Sequence, residues 1–246
     1  MDISGNTILI TGGASGIGFA LAKRFLDAGN AVVACGRREA KLREANALDG
    51  RLATLVADVS TEAGRVALVE SATRDFPQLN VLVNNAGIQR RLRLEDQESW
   101  EATREELAIN LEAPIHLTRL LLPHLMGQPR AAVVNITSGL AFAPLARTPV
   151  YSATKAALHS FTLSLRHQLR GSPVSVIEIA PPAVDTDLGG PGLHTFGVNL
   201  DEFADGVFAK LSGNEPEIGY GFGEQARTAS RADLDQLFVR INAAQP

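Results

Sequence analysis

The sequence predicts a doubly wound α/β fold: one open, seven-stranded parallel sheet with helices on both faces, in a single domain over 1–246. Three observations predict it. Short, nearly continuous apolar runs rich in β-branched residues recur at wide intervals, as strands covered on both faces require. Amphipathic stretches of helical period lie between them. Strand alternating with helix implies parallel strands joined by right-handed crossovers.

The apolar runs fall at 7–10, 31–35, 52–57, 81–83, 132–136 and 174–179, with a weaker one at 217–221. Each ends at Gly, Asn, Asp, Ser or Pro, the residues that break strands into turns. The stretch 16–28 carries Ile17, Ala20, Leu21, Phe25 and Leu26 at helical spacing, and Gly29 stops it. Helices are likewise predicted over 61–76, 98–126 and 151–170. The segment 187–199 holds four glycines and one proline with little periodicity. It reads as a surface loop or as a mobile cover over a ligand site.

Composition narrows the class. The chain has 246 residues, 45% hydrophobic and 20% charged, enough for a buried core and unlike a disordered chain. A net charge of −4 excludes a globally basic nucleic-acid binder. The single cysteine, Cys35, excludes an intrachain disulfide and a cysteine zinc cluster. No apolar run reaches the ~18 residues of a membrane-spanning helix. The start MDISGN lacks a basic region followed by an apolar stretch, so no secretory signal is read. The expected compartment is the cytoplasm, and neither nucleic acid nor membrane is an expected partner.

The first strand runs into Thr11-Gly12-Gly13-Ala14-Ser15-Gly16-Ile17-Gly18. Gly12 permits a tight turn, Gly16 lets backbone approach a phosphate, and Gly18 lets helix and strand pack closely. The following helix start, with Ser15 and Ile17, offers N–H groups and positive dipole to a pyrophosphate. The bland alternative is an ordinary strand-to-helix turn. The second strand ends at Arg37 and Arg38, with no acid until Glu39. Cations there suit the 2′-phosphate of NADP better than the bare ribose of NAD, although two solvated arginines would look the same. Asp58, followed by Val59, closes the third strand and either bonds an adenine amino group or caps a helix. Small residues Asn85, Ala86 and Gly87 after the fourth strand leave room for adenine and ribose, or form a plain turn.

Tyr151 and Lys155 stand at i and i+4, on one helical face. A phenol titrates near ~10, and a neighbouring cation favours its ionised form. The pair is therefore a workable general acid/base. Ser138 ends the fifth strand 13 residues earlier, at the edge where such sheets bind ligands. Its hydroxyl would hold a substrate oxygen beside the tyrosine.

These motifs, TGGASGIG at 11–18, NNAG at 84–87, Asn110, Ser138 and YSATK at 151–155, together resemble the short-chain dehydrogenases/reductases of compact, Rossmann-like, single-domain type. The resemblance covers nearly the whole chain. It implies that Tyr151 exchanges a proton with the substrate oxygen as hydride moves to or from the nicotinamide. Lys155 would bond the nicotinamide ribose and lower the tyrosine pKa, and Ser138 would polarise the carbonyl. Asn110 would hold a relay water; from the residues alone it reads as a helix irregularity bonded to backbone. Val184 and Thr186 would contact the carboxamide. Where the family has Pro-Gly, this chain has Pro181-Pro182, and Pro182 offers no N–H. PPAVDTDL at 181–188, NNAGIQ at 84–89 and FVRIN at 238–242 are similar to the subgroup named for D-alanylation of teichoic acids.

The expected activity is an NADP(H)-dependent carbonyl reductase or alcohol dehydrogenase. Apolar neighbours such as Leu140 and Leu188, beside Ser138 and Tyr151, favour a small apolar substrate. Arg90, Arg91 and Arg93 read as a solvated basic face or as an anion site. The competing class is a catalytically silent NADP sensor on the same fold. Apolar positions along 98–126 and 151–170, together with the resemblance, imply a homodimer or homotetramer.

Overall fold

A computed structural model describes residues 1–95, 99–213 and 215–243. Seven parallel strands form one sheet: β1 (Thr7–Thr11), β2 (Ala31–Gly36), β3 (Ala53–Val56), β4 (Leu79–Asn84), β5 (Ala131–Ile136), β6 (Val174–Ala180) and β7 (Glu217–Gly219). Their order is β3-β2-β1-β4-β5-β6-β7. The chain winds outward from β1 in one direction, then from β4 in the other. The reversal opens a crevice between the carboxyl ends of β1 and β4, the ligand site of doubly wound sheets.

Nine α-helices flank the sheet among the described residues: α1 (Gly16–Asp27), α2 (Glu39–Leu48), α3 (Glu62–Asp75), α4 (Trp100–Leu107), α5 (Ala113–Met126), α6 (Pro149–Gln168), α7 (Leu200–Leu211), α8 (Phe222–Thr228) and α9 (Arg231–Ala243). Alternate strand residues enter two cores. Ile8 and Ile10 pack with Leu21 and Phe25 of α1 and Phe203 and Val207 of α7. Leu9 packs on the opposite face with Leu117 and Leu121 of α5 and Leu165 of α6. β4 and β5 are buried at every position, which explains their consecutive apolar residues at 81–83 and 131–134. Each fully buried Leu, Ile or Phe contributes ~1.5–3 kcal/mol.

The expectation of one helix over 98–126 is corrected. Residue 98 lies outside the described residues. Within the rest, α4 and α5 are separated by a π-helical segment, Ala108–Glu112. A π turn inserts one extra residue into the helix and is common at functional sites. The helix expected to open at Tyr151 begins two residues earlier, at Pro149, a favoured first-turn residue. The segment 187–199 is a loop whose far end returns to the segment after β6 through the bridge Val184↔Val198. No helix of the described residues is long and apolar enough to cross a membrane.

Candidate active site

The glycine-rich turn forms because only glycine fits it. Gly12 and Gly16 adopt φ of +65° and +51°, conformations that side chains resist. A Cβ on Gly18 would stand 2.4 Å from the Gly12 carbonyl oxygen and 2.5 Å from Asn85 Nδ2. The turn therefore presents bare backbone. Ser15 precedes α1 without capping it through its side chain, so the first N–H groups of α1, from Gly16, Ile17 and Gly18, face outward to the crevice edge. A Cβ on Gly16 would touch Thr186 Cγ2 at 3.4 Å, so the segment after β6 closes over the turn. Thr186 donates to the Val184 carbonyl, and Val184 is buried.

Asn85 locks this turn to β4. Its Nδ2 donates to the carbonyls of Thr11 (2.9 Å) and Gly12 (3.2 Å). Thr11 Oγ1 accepts from the amides of Asn85 and Ala86, both at 3.0 Å. The Asn85 side chain is thus committed to the scaffold. Gly87 follows, and a Cβ there would lie 3.5 Å from Asn110 Oδ1 and 3.8 Å from Lys155 Nζ. The small-residue floor consequently joins the glycine-rich turn to the Tyr–Lys pair.

At the far end of the crevice, Arg37, Arg38, Leu55 and Asp58 line a cavity of about 610 Å³. Asp58 Oδ1 accepts from the Ser60 amide at 2.9 Å, while Thr61 caps α3 by accepting from Gly64. Asp58 thus shapes the turn without being the helix cap. Burial pushes its carboxyl up, but Ser60 and the nearby Arg37 outweigh this and hold it below the usual range. Val59 beside it is buried. Arg37 Nη1 meets Glu105 Oε1 at 2.7 Å, and Glu105 also pairs with Arg90.

The Tyr–Lys end of the crevice lies where β5 meets α6. Ser138 and Tyr151 are both 6% exposed and Lys155 is 4% exposed. Ser138 stands close enough to Tyr151 for its hydroxyl to favour the ionised phenol, and its Oγ accepts from the Leu140 amide. Lys155 Nζ lies 5.6 Å from the Tyr151 ring centroid and donates to the Ile136 carbonyl at 2.8 Å. Against the expectation that Lys155 lowers the tyrosine pKa, burial sets the direction here. Desolvation pushes Tyr151 up to about 12, with Ser138 pulling down and Glu106 pushing up. Desolvation also lowers Lys155 to about 8.

Asn110, fully buried in the π segment, bonds backbone. Its Oδ1 accepts from the Ile88 amide (2.9 Å), and its Nδ2 donates to the Ile88 carbonyl (2.8 Å) and Thr154 Oγ1 (3.3 Å). Both donors are engaged, so one Oδ1 lone pair is all that its side chain retains for a relay water. Leu140 and Leu188 stand half-buried on the loops after β5 and β6.

Several neighbours escaped the sequence reading. Glu106, 2% exposed, accepts from the Arg90 amide. Behind Ser138, Thr137 Oγ1 donates to Glu178 Oε1 at 2.7 Å. His159 Nδ1 lies 2.9 Å from Glu178 Oε2. The signal available in sequence was an acid inside an apolar strand run and a histidine one turn beyond Lys155.

Comparisons with known proteins bear on the family and the fold. The short chain dehydrogenase family profile matches residues 6–193. The uncharacterized oxidoreductase DltE of Bacillus subtilis (strain 168) is 48% identical over 251 residues, covering all of both chains. The NADP-dependent 3-hydroxy acid dehydrogenase YdfG of Salmonella typhi is 34% identical over 178 residues, 72% of each chain. The crystal structure of a short chain dehydrogenase from Burkholderia cenocepacia J2315 in complex with NADP superposes with a TM-score of 0.83. It is 26% identical and covers 98% of this chain and 99% of its own.

Proposed function

The chain belongs to the short chain dehydrogenase family of oxidoreductases, and from that premise we propose that it interconverts a carbonyl and a secondary alcohol of a small, apolar substrate, using NADP(H). One observation carries the reading: Ser138, Tyr151 and buried Lys155 stand together, and Gly87, on the floor that runs to the bare glycine-rich turn, comes within 3.8 Å of Lys155 Nζ at its Cβ position.

The residues present fit a dinucleotide. Backbone at Gly12, Ser15, Gly16, Ile17 and Gly18 would receive the pyrophosphate. Arg37 and Arg38 would take the 2′-phosphate, since Arg37 spends one guanidinium nitrogen on Glu105 and keeps the rest of its fork. Asp58 and Val59 would flank the adenine, and Asn85, Ala86 and Gly87 the ribose. Val184 and Thr186 would meet the carboxamide, and Lys155 the nicotinamide ribose. When bound, the nicotinamide gives or takes the hydride.

This chain's residues handle the proton. Ser138 donates to the substrate oxygen and holds it beside Tyr151, which gives its proton to a forming alkoxide or takes one from an alcohol. Lys155 supports the phenolate. Its Nζ lies 5.6 Å from the Tyr151 ring centroid, and a nearby cation favours the ionised phenol against the upward push of burial. Asn110 fixes Ile88 against α6 and keeps the floor at Gly87 open. Exposed Trp100, Met126 and Leu163 on α4, α5 and α6 support pairing of these helices in a homodimer or homotetramer.

The test is turnover of NADPH against a panel of ketones and aldehydes. Tyr151→Phe is expected to cut turnover by at least ~10²-fold with NADPH affinity retained. Unchanged turnover removes Tyr151 from the mechanism. Arg37→Asp is expected to weaken NADPH far more than NADH; equal weakening removes the phosphate contact.

A further inference from the structure

The family profile ends at residue 193, yet residues beyond it brace the connection between Ser138 and Tyr151. That connection begins with a single 3₁₀ turn, Gly139–Ala141, and continues as loop 142–148. At its start, a Cβ on Gly139 would meet Phe222 Cδ1 at 2.7 Å and Gly223 Cα at 3.0 Å. α8 is therefore pressed against the residue following Ser138. At its other end, Asn242 of α9 reaches across 96 and 98 positions of sequence. Its Oδ1 accepts from the Ala146 amide at 2.7 Å, and its Nδ2 donates to the Pro144 carbonyl at 3.1 Å. The same Nδ2 donates to the Phe238 carbonyl at 2.8 Å, which fixes the amide on its own helix.

We propose that Asn242 is a positioning residue for the substrate side of the site: its amide clips loop 142–148 and thereby sets the substrate contacts between Ser138 and Tyr151. The loop's backbone shows why the clip matters. Leu145 N donates to Ser152 Oγ, and Thr148 N returns to the Leu145 carbonyl. Both bonds stay local, within the loop and the first turns of α6. The Arg147 carbonyl accepts from the Leu92 amide, tying the loop to the segment after β4. Pro144 and Ala146 flank Leu145, and among the described residues their hydrogen bonds outside the loop run to Asn242 of α9. An amide side chain satisfies a carbonyl and an N–H two residues apart much as a neighbouring strand would, which holds the intervening backbone in one conformation. α9 itself is anchored through Leu237, 4% exposed. The terminal FVRIN stretch thus acquires a physical role: Asn242 carries the clip, one turn after Phe238.

This inference rests on the oxidoreductase reading for its kinetic arm but not for its structural one. Asn242→Ala removes both bonds, and Asn242→Asp keeps the acceptor for Ala146 while losing the donor to Pro144. The expected result for Asn242→Ala is a KM for carbonyl substrate raised about tenfold, equal to ~1.4 kcal/mol, with NADPH affinity within about twofold. Asn242→Asp should lie between it and the parent. Hydrogen exchange of the Ala146 amide, read by NMR or on peptides covering 142–148, should quicken about tenfold in Asn242→Ala without any substrate present. Unchanged exchange overturns the clip whatever the enzyme does. Faster exchange with an unchanged KM overturns the positioning role. A fall in NADPH affinity and melting temperature in step with the KM change also overturns it, because Asn242 would then be holding the fold at large. Faster exchange in a protein with no carbonyl activity would instead count against the proposed reaction.

Discussion

Replacing Asn110 by alanine tests whether the π segment is held by its side chain. Asn110 is 0% exposed and makes the bonds to Ile88 N, Ile88 O and Thr154 Oγ1 described above. The alanine variant leaves an amide and a carbonyl of Ile88 without partners. An orphaned buried polar group costs ~1–3 kcal/mol; Ile88 is only half-buried, so water recovers part of this. The sum is ~2–4 kcal/mol. For a chain of this length each kcal/mol moves the melting temperature by ~2–4 °C, giving a fall of ~6–12 °C near the middle of that range. The assay is thermal unfolding by circular dichroism, repeated in urea. Asn110→Asp separates bonding from packing, since it keeps the shape and the acceptor but replaces the donor facing Ile88 O with an anion. Burial raises its carboxyl pKa, so its stability relative to the parent should recover on acidification, when the protonated acid donates again. A melting temperature for Asn110→Ala within ~2 °C of the parent would falsify the reasoning.

The remaining expectations are shorter. The Glu178 hydrogen bond raises His159 above its usual value of 6.5, against a downward push from burial, with Glu217 adding to the rise and Arg166 opposing it. Because the folded value is raised, the pair's stabilisation is full below the unfolded value and is lost as pH rises through the folded one. The melting temperature should therefore drift down on the alkaline side of 6.5, and His159→Gln should remove that drift; an identical pH profile in the variant refutes the pairing. Gly18→Ala drives a Cβ into the Gly12 carbonyl and Asn85, so NADPH affinity should fall at least ~10-fold, since overpacking of this kind costs ~1–3 kcal/mol. Gly29→Ala is the control. Gly29 also has a positive φ, +84°, but nothing lies within 4 Å, so it should lose ~1–2 kcal/mol of stability with cofactor affinity intact, and equal effects on affinity would refute the cradle.

What could be read from the sequence followed from how local each signal is. β4 and β5 are legible because burial on both faces leaves consecutive apolar residues, Val81–Val83 and Ala131–Val134, between their few asparagines. The Tyr151–Lys155 pair is legible because its geometry is fixed by one helical turn. α2 was missed because it buries only Leu42 and Ala45, too few for a visible stripe. α7 buries Phe203, Ala204, Val207 and Leu211 and is capped by Asn199, but the irregular segment before it hid the pattern. The π segment was illegible because one inserted residue leaves the surrounding apolar spacing nearly unchanged. Contacts such as Thr137–Glu178–His159 and Arg37–Glu105–Arg90 join residues far apart in sequence, and only strand order and register bring them together.

The same distinction separates two parts of the candidate site. Each of the last positions of the β5 segment is tied to α6, directly or through one residue. Asn135 donates to Thr162, the Ile136 carbonyl accepts from Lys155, Thr137 reaches His159 through Glu178, and Ser138 meets Tyr151. Residues 151, 155, 159 and 162 lie along one helical face, so a single strand–helix register sets all four contacts together. Displacing Tyr151 from Ser138 would require sliding α6 against buried polar bonds, each costly to break without water. The intervening connection carries none of that register. It is braced from outside, by Phe222 and Asn242, so a change within it leaves the phenol, the hydroxyl and the cation in their places.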